Sequence, residues 1–226
     1  MSIVETKGLK KYFQNGEHIV KALDDVTISI EEGEFVALVG SSGSGKTTML
    51  NMLGGLDEPT EGEVIIRGRS LTNMEREEKT IFRRRNIGFV FQQFNLVPIL
   101  NVYENIVLPL RLDGMEIDEE FLQHIVDLLK IEEKLDQMPE TLSGGQQQRV
   151  AIARALCVKP ALILADEPTG NLDSKASMEV AVLLKSCALR FHQTVIMVTH
   201  DEEVAQMADR ILSIEDGRIR REEARE

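Results

Sequence analysis

Cysteine is scarce in this sequence, with only Cys157 and Cys187 among 226 residues. No C-x-x-C pair is present, so the sequence does not suggest a structural zinc site. Both cysteines lie in stretches with a helical pattern, where we expect them to be small buried residues. Their small number fits a protein that works in a reducing compartment.

Long apolar runs are also missing. Apolar runs such as Phe35–Val39 and Ala161–Ala165 are only five residues long, whereas a membrane-spanning helix needs about 20 residues. Residues 1–11 contain no apolar stretch long enough for a signal peptide. We therefore expect any membrane role to come through a partner.

Positive charge is in deficit, because the formal net charge at pH 7 is −12. An acidic surface repels phosphate backbones, so we expect no nucleic-acid partner. This charge does not argue against one nucleotide in a local pocket. With 42% hydrophobic and 28% charged residues, the chain has the composition of an ordinary globular domain with a sizeable core.

Strand and helix patterns alternate along the chain. Glu34–Val39, Ala161–Ala165 and Thr194–Thr199 are short apolar runs, typical of strands buried on both faces. Ile3–Glu5 and Val26–Ile30 alternate apolar and polar residues, as half-buried strands do. Strands alternating with helices predict a mostly parallel sheet covered on both faces.

Residues from about 95 to 155 have a mainly helical pattern. Within this block, Asp118 is the predicted N-cap of a helix that runs to Lys130. The larger apolar residues that share one face of this helix are Phe121, Ile125, Leu128 and Leu129. We expect the block to be a lobe inserted into the α/β core.

Two charged stretches are predicted to be ordinary surface. Arg83–Arg85 beside Glu75–Lys79 indicates a solvated, ion-paired helix face. The tail, Arg218–Glu226, is predicted to be exposed and mobile.

Residues 40–47, GSSGSGKT, match the pattern G-x-x-x-x-G-K-[ST] between a predicted strand and a helix-like run, Thr47–Leu53. Glycines let the backbone curl so that successive N–H groups point at phosphate oxygens, and the helix adds its positive N-terminal end. Lys46 supplies charge for the β- and γ-phosphates, and Thr47 offers a hydroxyl to Mg²⁺. The predicted nucleotide-binding residues here are Gly40, Ser41, Ser42, Gly43, Ser44, Gly45, Lys46, Thr47 and Thr48.

An acidic pair follows a second apolar strand, where Leu162–Ala165 runs into Asp166 and Glu167. An apolar strand that ends in carboxylates delivers them to the edge of the sheet where ligands of α/β proteins bind. Asp166 is predicted to anchor Mg²⁺, and Glu167 to polarise the attacking water as a general base.

His200 ends the predicted strand Thr194–Thr199 and has two interpretations. If the strands are neighbours, His200 reaches the phosphate edge and orients the water near the γ-phosphate. Alternatively, it caps the next helix, with the run Asp201–Glu203 as an acidic first turn.

The stretch Leu142–Arg149, LSGGQQQR, places Ser-Gly-Gly before a helix-like run and forms a second helix N-terminus with exposed N–H groups. One ATP does not need two such sites in one chain. The simplest explanation is that this site serves the ATP held by another copy.

Leu142–Gln146 matches the signature motif of the ATP-binding cassette ATPases letter for letter. The resemblance to this family covers essentially the whole chain. Gly40–Thr47 is similar to their Walker A loop and Leu162–Glu167 to Walker B with its catalytic glutamate. The resemblance also implies that Gln92 is the Gln-loop residue that senses Mg²⁺ and the attacking water. It favours the phosphate-edge role of His200.

Further positions carry the same resemblance. Asn171–Asp173 resembles the D-loop, which crosses to a partner subunit, and Asn171 stands where many relatives have alanine, with little expected consequence. Tyr12 resembles the aromatic residue that stacks on adenine, although packing is an alternative role for it. By the resemblance, the residues that cover ATP from the second copy are Ser143, Gly144, Gly145, Gln146 and Asp173.

The resemblance is strongest to the macrolide-exporter, lipoprotein-release and cell-division class, through Phe91–Pro98 and Asp166–Asp173. It predicts a P-loop NTPase core with a mostly parallel sheet, an N-terminal antiparallel β subdomain and a helical lobe. The core would comprise about 1–94 and 156–226 of a single domain, and no regulatory domain is expected after it.

The family resemblance also implies a mechanism and partners. Two copies would pack head to tail around two ATP molecules with Mg²⁺, and hydrolysis would open the dimer. An integral-membrane permease would hold the subunit at the cytoplasmic face of the cell membrane. Two alternatives are a DNA-repair or translation ATPase, disfavoured by the acidity and the absence of a coiled-coil insertion, and a signalling or scaffold module.

A cluster of apolar residues after Gln92 has two interpretations. It forms a groove that receives a short helix of the permease, or it is the core of the helical lobe. The residues concerned are Phe94, Leu96, Pro98, Ile99, Leu100 and Tyr103.

Overall fold

The computed structural model describes residues 2–16 and 18–224. The strands in that part of the chain are β1 (Ser2–Asn15), β2 (His18–Glu31), β3 (Phe35–Val39), β4 (Glu61–Ile66), β5 (Arg69–Ser70), β6 (Ile87–Phe91), β7 (Leu162–Asp166), β8 (Thr194–Val198), β9 (Arg210–Glu215) and β10 (Arg218–Ala224). The helices are α1 (Lys46–Leu53), α2 (Arg76–Asn86), α3 (Val102–Asp113), α4 (Glu119–Leu129), α5 (Gly144–Leu156), α6 (Ser174–Phe191) and α7 (Glu202–Ala205). Short 3-10 turns occupy Glu132–Lys134 and Pro139–Thr141.

These strands form two sheets. One has six strands in the order β10-β9-β3-β8-β7-β6, and every pair in it is parallel except β10 with β9. The other has four antiparallel strands in the order β2-β1-β4-β5. The predicted α/β class, with a mostly parallel sheet and an N-terminal antiparallel sheet, is confirmed. The first two strands are much longer than predicted, at 14 residues each.

The parallel sheet is covered on both faces, which explains its continuous apolar strands. Successive residues of β3 point to opposite sides, so Phe35 and Ala37 join one buried cluster and Val36 and Leu38 join the other. The first cluster includes residues of α3, α4, α5 and α6, and the second includes those of α1 and the antiparallel sheet. The sheet therefore has helices on one side and the antiparallel sheet with α1 on the other.

The helix between 119 and 129 begins as predicted. The side chain of Asp118 accepts a hydrogen bond of 3.0 Å from the backbone N–H of Phe121, which satisfies one unpaired donor of the first turn. Ile125 and Leu129 are fully buried, whereas Phe121 and Leu128 are half-buried. Both cysteines are buried, and burial raises the pKa of each thiol to about 12.

The two predictions about charged stretches have different outcomes. Residues 218–224 of the tail are not a mobile end, because they form β10 on the edge of the six-stranded sheet; their backbone pairs with β9 while the charged side chains stay exposed. Residues 225 and 226 lie outside the described part. The ion-paired face of α2 is confirmed, with partners on other elements: Arg84 and Arg85 pair with Asp113 at the end of α3 (2.9 and 2.6 Å). No helix in the described residues is long and apolar enough to cross a membrane.

Candidate functional site

The loop between β3 and α1 has the tightly curled backbone that its glycines predict. Gly45 has φ +111°, and a Cβ atom there would collide with the carbonyl oxygen of Ala22 in β2. Gly40 is equally restricted, since its Cβ would collide with the carbonyl oxygen of Ile214 in β9. Only glycine fits both positions. The loop thus leads into the N-terminus of α1 while packed closely against two strands.

Lys46 is the first residue of α1, and its side chain reaches back to the start of this loop. Its side chain is buried, and Nζ donates hydrogen bonds to the carbonyl oxygens of Gly40 (2.9 Å) and Ser41 (2.7 Å). No carboxylate of the described residues lies within ion-pair distance of Nζ. A buried ammonium group that has only neutral carbonyl partners favours a bound anion.

The acidic pair lies next to this loop. Asp166 ends β7, and its Oδ1 lies 3.4 Å from the hydroxyl oxygen of Thr47, the second residue of α1. Burial raises the pKa of Asp166 and the neighbouring charge of Glu167 adds to this, whereas the hydrogen bond from Thr47 and the charge of Lys46 oppose it. The hydroxyl oxygen of Thr47 and the carboxylate of Asp166 are therefore two oxygen ligands, available to a metal ion, that lie side by side.

Glu167 and His200 face each other across the ends of β7 and β8. The carboxylate of Glu167 is 3.5 Å from Nδ1 of His200, and both side chains are partly exposed. The capping interpretation of His200 is wrong, because Asp201 caps α7 by accepting from the backbone N–H groups of Glu203 (2.9 Å) and Val204 (3.2 Å).

A cavity of about 330 Å³ lies between the glycine-rich loop and these two residues. The predicted residues that line it are Gly40, Ser42, Gly43, Gly45, Lys46, Thr47, Thr48, Glu167 and His200. Sequence reasoning missed three further lining residues of β2, Val20, Lys21 and Ala22. They lie near the start of β2, which packs against the glycine-rich loop at Gly45, and no local sequence pattern signals this contact. Ser41, Ser44 and Asp166 are neighbours of lining residues.

Tyr12 is not among the residues that line this cavity. Its hydroxyl donates a hydrogen bond to Asp24 (2.5 Å), and the Nζ atom of Lys21 lies 5.2 Å from the centroid of its ring. Asp24 also accepts from Arg218 of β10 (2.6 Å), and these two hydrogen bonds lower the pKa of Asp24 to about 2. The adenine-stacking role of Tyr12 stays a prediction.

Gln92 follows β6 and contacts the segment after Glu167. Its side-chain amide donates to Oδ1 of Asn171 (3.1 Å), and Asn171 donates back to the backbone carbonyl of Gln92 (3.0 Å). The predicted Gln-loop at Gln92 and the predicted D-loop at Asn171–Asp173 therefore touch within one chain. Asn171 makes this contact, although little consequence was expected from its identity.

A second cavity, of about 310 Å³, surrounds the N-terminus of α5. Ser143 and Gln146 form a reciprocal capping box: the Ser143 hydroxyl accepts from the Gln146 N–H (3.3 Å), and the Gln146 side chain accepts from the Ser143 N–H (2.9 Å). Asp173 caps α6 on the opposite wall through the N–H of Ala176 (2.9 Å). The predicted residues that line this cavity are Ser143, Gly144, Gly145, Gln146, Asn171 and Asp173. The two cavities share no lining residue.

The donor set for a metal is small. The described residues contain no group of three or more His, Cys, Asp or Glu side chains that could enclose a metal ion. The predicted ligands are instead a hydroxyl (Thr47), a carboxylate (Asp166) and an amide (Gln92). This fits Mg²⁺, which takes few protein oxygens and completes its coordination with phosphate oxygens and water.

A third cavity, of about 450 Å³, lies between α2, β6 and α5. Its apolar surface includes Phe89 and Phe91, whose stacked rings are 5.4 Å apart, and Arg83, Arg84 and Arg154 also line it. None of the six apolar residues expected to form a groove lines this cavity. Of these six, Leu96 and Tyr103 pack against the core and Ile99 is 82% exposed.

The fold and the site define a P-loop ATPase of the cassette type. The family model described as "ABC transporter" matches residues 23–170, and the chain belongs to the ABC transporter family. The predicted ABC-type ATPase activity is confirmed.

Particular relatives place the chain within that family. It is 48% identical to the ABC transporter ATP-binding protein MJ0796 of Methanocaldococcus jannaschii, covering 98% of this chain and 97% of the relative. It is 41% identical to the lipoprotein-releasing system ATP-binding protein LolD of Acinetobacter baylyi (95% and 96% covered). It is also 43% identical to the macrolide export ATP-binding/permease protein MacB of Bdellovibrio bacteriovorus, over 98% of this chain and 34% of that longer protein. The predicted macrolide-export and lipoprotein-release class is confirmed.

A solved structure of MJ0796 is similar throughout. It is a dimeric post-hydrolysis state bound to ADP and Pi, with a TM-score of 0.86, 47% identity and 98% of both chains covered.

Proposed function

We propose that this ATPase works as a head-to-tail homodimer that holds two ATP molecules between its copies and drives a separate membrane permease. The observation that carries the proposal is the separation of the two cavities. Lys46 and Glu167 line one cavity and Ser143 lines another, so one copy offers two half-sites. The dimeric structure of MJ0796 bound to ADP and Pi supports this arrangement.

In the proposed dimer, the glycine-rich loop and Lys46 of one copy hold the phosphates, and Ser143–Gly145 of the second copy cover them. The backbone N–H groups at the N-terminus of α5 are suited to phosphate oxygens. Residues of about 1–94 and 156–226 would act as the nucleotide-binding core, and about 95–155 as the lobe that brings the signature. The residues Tyr12, Gln146 and Asp173 would complete the nucleotide contacts.

The chemistry follows from the side chains around the first cavity. Glu167 would accept a proton from the attacking water, and His200 beside it would orient that water. Thr47, Asp166 and Gln92 would hold Mg²⁺, which neutralises charge on the phosphates when bound. Loss of the terminal phosphate removes the contacts that join the two copies, and the dimer opens.

The third cavity supports docking of a permease. Among the described residues, Arg83 and Arg154 have no carboxylate partner; they donate to the backbone carbonyls of Gly55 (3.0 Å), Phe94 (2.8 Å) and Asn95 (2.6 Å). An apolar groove lined by uncompensated cations in a chain of net charge −12 fits a short apolar segment that carries a carboxylate. Such a partner would place the subunit at the cytoplasmic face of the membrane, for export or mechanical transmission.

A two-variant experiment tests the composite site. Glu167→Gln protein with Mg-ATP should elute as a dimer in size-exclusion chromatography, because the bound ATP is not cleaved. Adding Ser143→Arg, which fills the second cavity, should return the protein to a monomer that still binds ATP. A double variant that remains an ATP-dependent dimer would contradict the shared site, and loss of ATP binding would contradict the separation of the two cavities.

A further inference from the structure

The side chain of Asn171 makes two hydrogen bonds with Gln92, one with its side chain and one with its backbone, although the two residues are 79 positions apart in sequence. The side-chain nitrogen of Gln92 donates to Oδ1 of Asn171 (3.1 Å), and the side-chain nitrogen of Asn171 donates to the backbone carbonyl of Gln92 (3.0 Å). Gly170 makes this approach possible, since a Cβ atom there would lie 2.7 Å from the Gln92 amide nitrogen. We call this contact the amide pair.

The backbone carbonyl of Gln92 sets the orientation of both amides. A carbonyl oxygen only accepts hydrogen bonds, so the nitrogen of Asn171 must face it. The oxygen of Asn171 then faces the side chain of Gln92 and must receive a hydrogen bond from its nitrogen. Because both amides are oriented in this way, Oε1 is the end of Gln92 that the amide pair leaves free.

Side chains of α5 hold the backbone on both sides of Gln92. On α5, the buried Gln148 donates to the carbonyl of Phe91 (3.3 Å), and Arg154 donates to the carbonyls of Phe94 (2.8 Å) and Asn95 (2.6 Å). Phe94 and Asn95 have φ values of +57° and +50°. These contacts fix the chain on both sides of Gln92, so the direction of its side chain depends on Asn171.

Asn171 also belongs to the short segment that connects Glu167 with α6. Backbone hydrogen bonds from Gly170 to Glu167 (3.0 Å) and from Leu172 to Thr169 (3.1 Å) make this segment a tight turn. A displacement of the turn therefore reaches Gln92 through the amide pair.

From this geometry we propose that Asn171 is a positioning residue, which turns the amide of Gln92 so that its oxygen is presented to the metal. The inference rests on the proposed role of Gln92 as a magnesium ligand. An oxygen is the required end, because Mg²⁺ binds oxygen ligands and an amide nitrogen repels it.

The first test needs neither metal nor nucleotide. In the nucleotide-free protein, the side-chain NH₂ resonances of Gln92 in a ¹⁵N-correlated NMR spectrum should move toward the position of a free amide in Asn171→Ala. They should stay in place in Asn73→Ala, an exposed asparagine whose side chain donates a hydrogen bond to Glu63 (3.3 Å). Unmoved Gln92 resonances in Asn171→Ala would overturn the proposal.

The second test asks whether Asn171 acts through Gln92. In Asn171→Ala the Mg²⁺ concentration for half-maximal ATPase activity should rise by about fivefold, the worth of one hydrogen bond, with the melting temperature unchanged. In a Gln92→Ala background the same substitution should add nothing. Additive effects would overturn the positioning role. If Gln92→Ala alone left the Mg²⁺ requirement unchanged, the proposed metal role of Gln92 would fall, while the NMR result would still decide on the amide pair.

Discussion

The carboxylate of Glu167 lies 3.5 Å from Nδ1 of His200, although the two residues follow different strands. Glu167 has φ +45°, and its N–H donates to the carbonyl of Val198 at the end of β8 (3.0 Å). The parallel pairing of β7 with β8 thus brings both side chains to one edge of the sheet. There they share a cavity with Lys46.

This placement predicts the effect of Glu167→Gln on hydrolysis. The amide fills the same volume but cannot accept the proton of the attacking water, so turnover should fall by about 10²–10⁴-fold. ATP affinity should be retained, because the phosphate contacts of Lys46 are unchanged. Phosphate release and titration with a fluorescent ATP analogue measure the two quantities. Glu202→Gln, at an exposed position of α7, is the matched control and should behave as wild type.

Lys46→Met separates the charge of Lys46 from its volume. The methionine fills the buried space but removes the cation next to the phosphates, and we expect ATP affinity to fall by about 10–100-fold, the worth of a hydrogen bond to a charged group. The melting temperature without nucleotide should change little, since the loss of two hydrogen bonds to carbonyls is offset by the removal of a buried charge. Isothermal titration with ATP measures the affinity. Lys7→Met, on an exposed side chain, should bind ATP normally, and unchanged affinity in Lys46→Met would contradict the phosphate role.

Short-range features of this protein were predictable, because the signals are contiguous in sequence. The glycine-rich loop, the end of β7 at Asp166 and the cap of α4 at Asp118 each depend on a few consecutive residues. The tail was misjudged for the same reason. Its charged side chains indicate solvent, but an edge strand such as β10 needs only backbone pairing on one side.

Three other features, which depend on contacts between distant segments, were not predictable. Val20–Ala22 reach the first cavity because the β1–β2 hairpin packs against the glycine-rich loop, and no local pattern signals that contact. The third cavity combines residues from distant parts of the chain, such as Leu56, Arg83 and Arg154. The contact of Asn171 with Gln92 likewise depends on the meeting of two loops, so its role could not be inferred from the residue type alone.

The Asp24 cluster predicts a pH dependence of stability. Hydrogen bonds from Tyr12 and Arg218 lower the pKa of Asp24 to about 2, below the unfolded value near 3.9. The ionised form therefore stabilises the fold at neutral pH, and this contribution is lost as the pH falls from about 5 toward 2.

Asp24→Asn should accordingly be less stable than wild type at pH 7, with a difference that shrinks at acidic pH. Urea unfolding of both proteins between pH 7 and 3 measures the difference in free energy of unfolding. Asp25→Asn is a close control, because Asp25 is exposed and asparagine tolerates its φ of +64°. A difference that stayed constant with pH would show that the ionisation of Asp24 does not contribute.

The third cavity, between α2, β6 and α5, predicts that ATP hydrolysis and docking to the permease can be separated by mutation. Arg83→Glu reverses one uncompensated charge in the third cavity. Arg83 does not line the first cavity, which holds Lys46, Glu167 and His200, so the isolated subunit should keep its ATPase activity. Docking of a segment that carries a carboxylate should weaken, because two like charges would then meet. Arg76→Glu lies on the same helix at an exposed position outside this groove and should leave docking intact.

Cross-linking measures this docking directly. A cysteine introduced as Leu56→Cys, on the groove rim and 47% exposed, can carry a photoactivatable probe. The natural thiols of Cys157 and Cys187 should not compete, because both are buried and burial raises the pKa of each to about 12. In membranes that contain the permease, the probe should capture a membrane-spanning protein in an Arg76→Glu background and much less of it in an Arg83→Glu background. Equal capture in the two backgrounds would mean that the charge of the groove does not guide the partner, and capture of soluble proteins alone would place the permease on another surface.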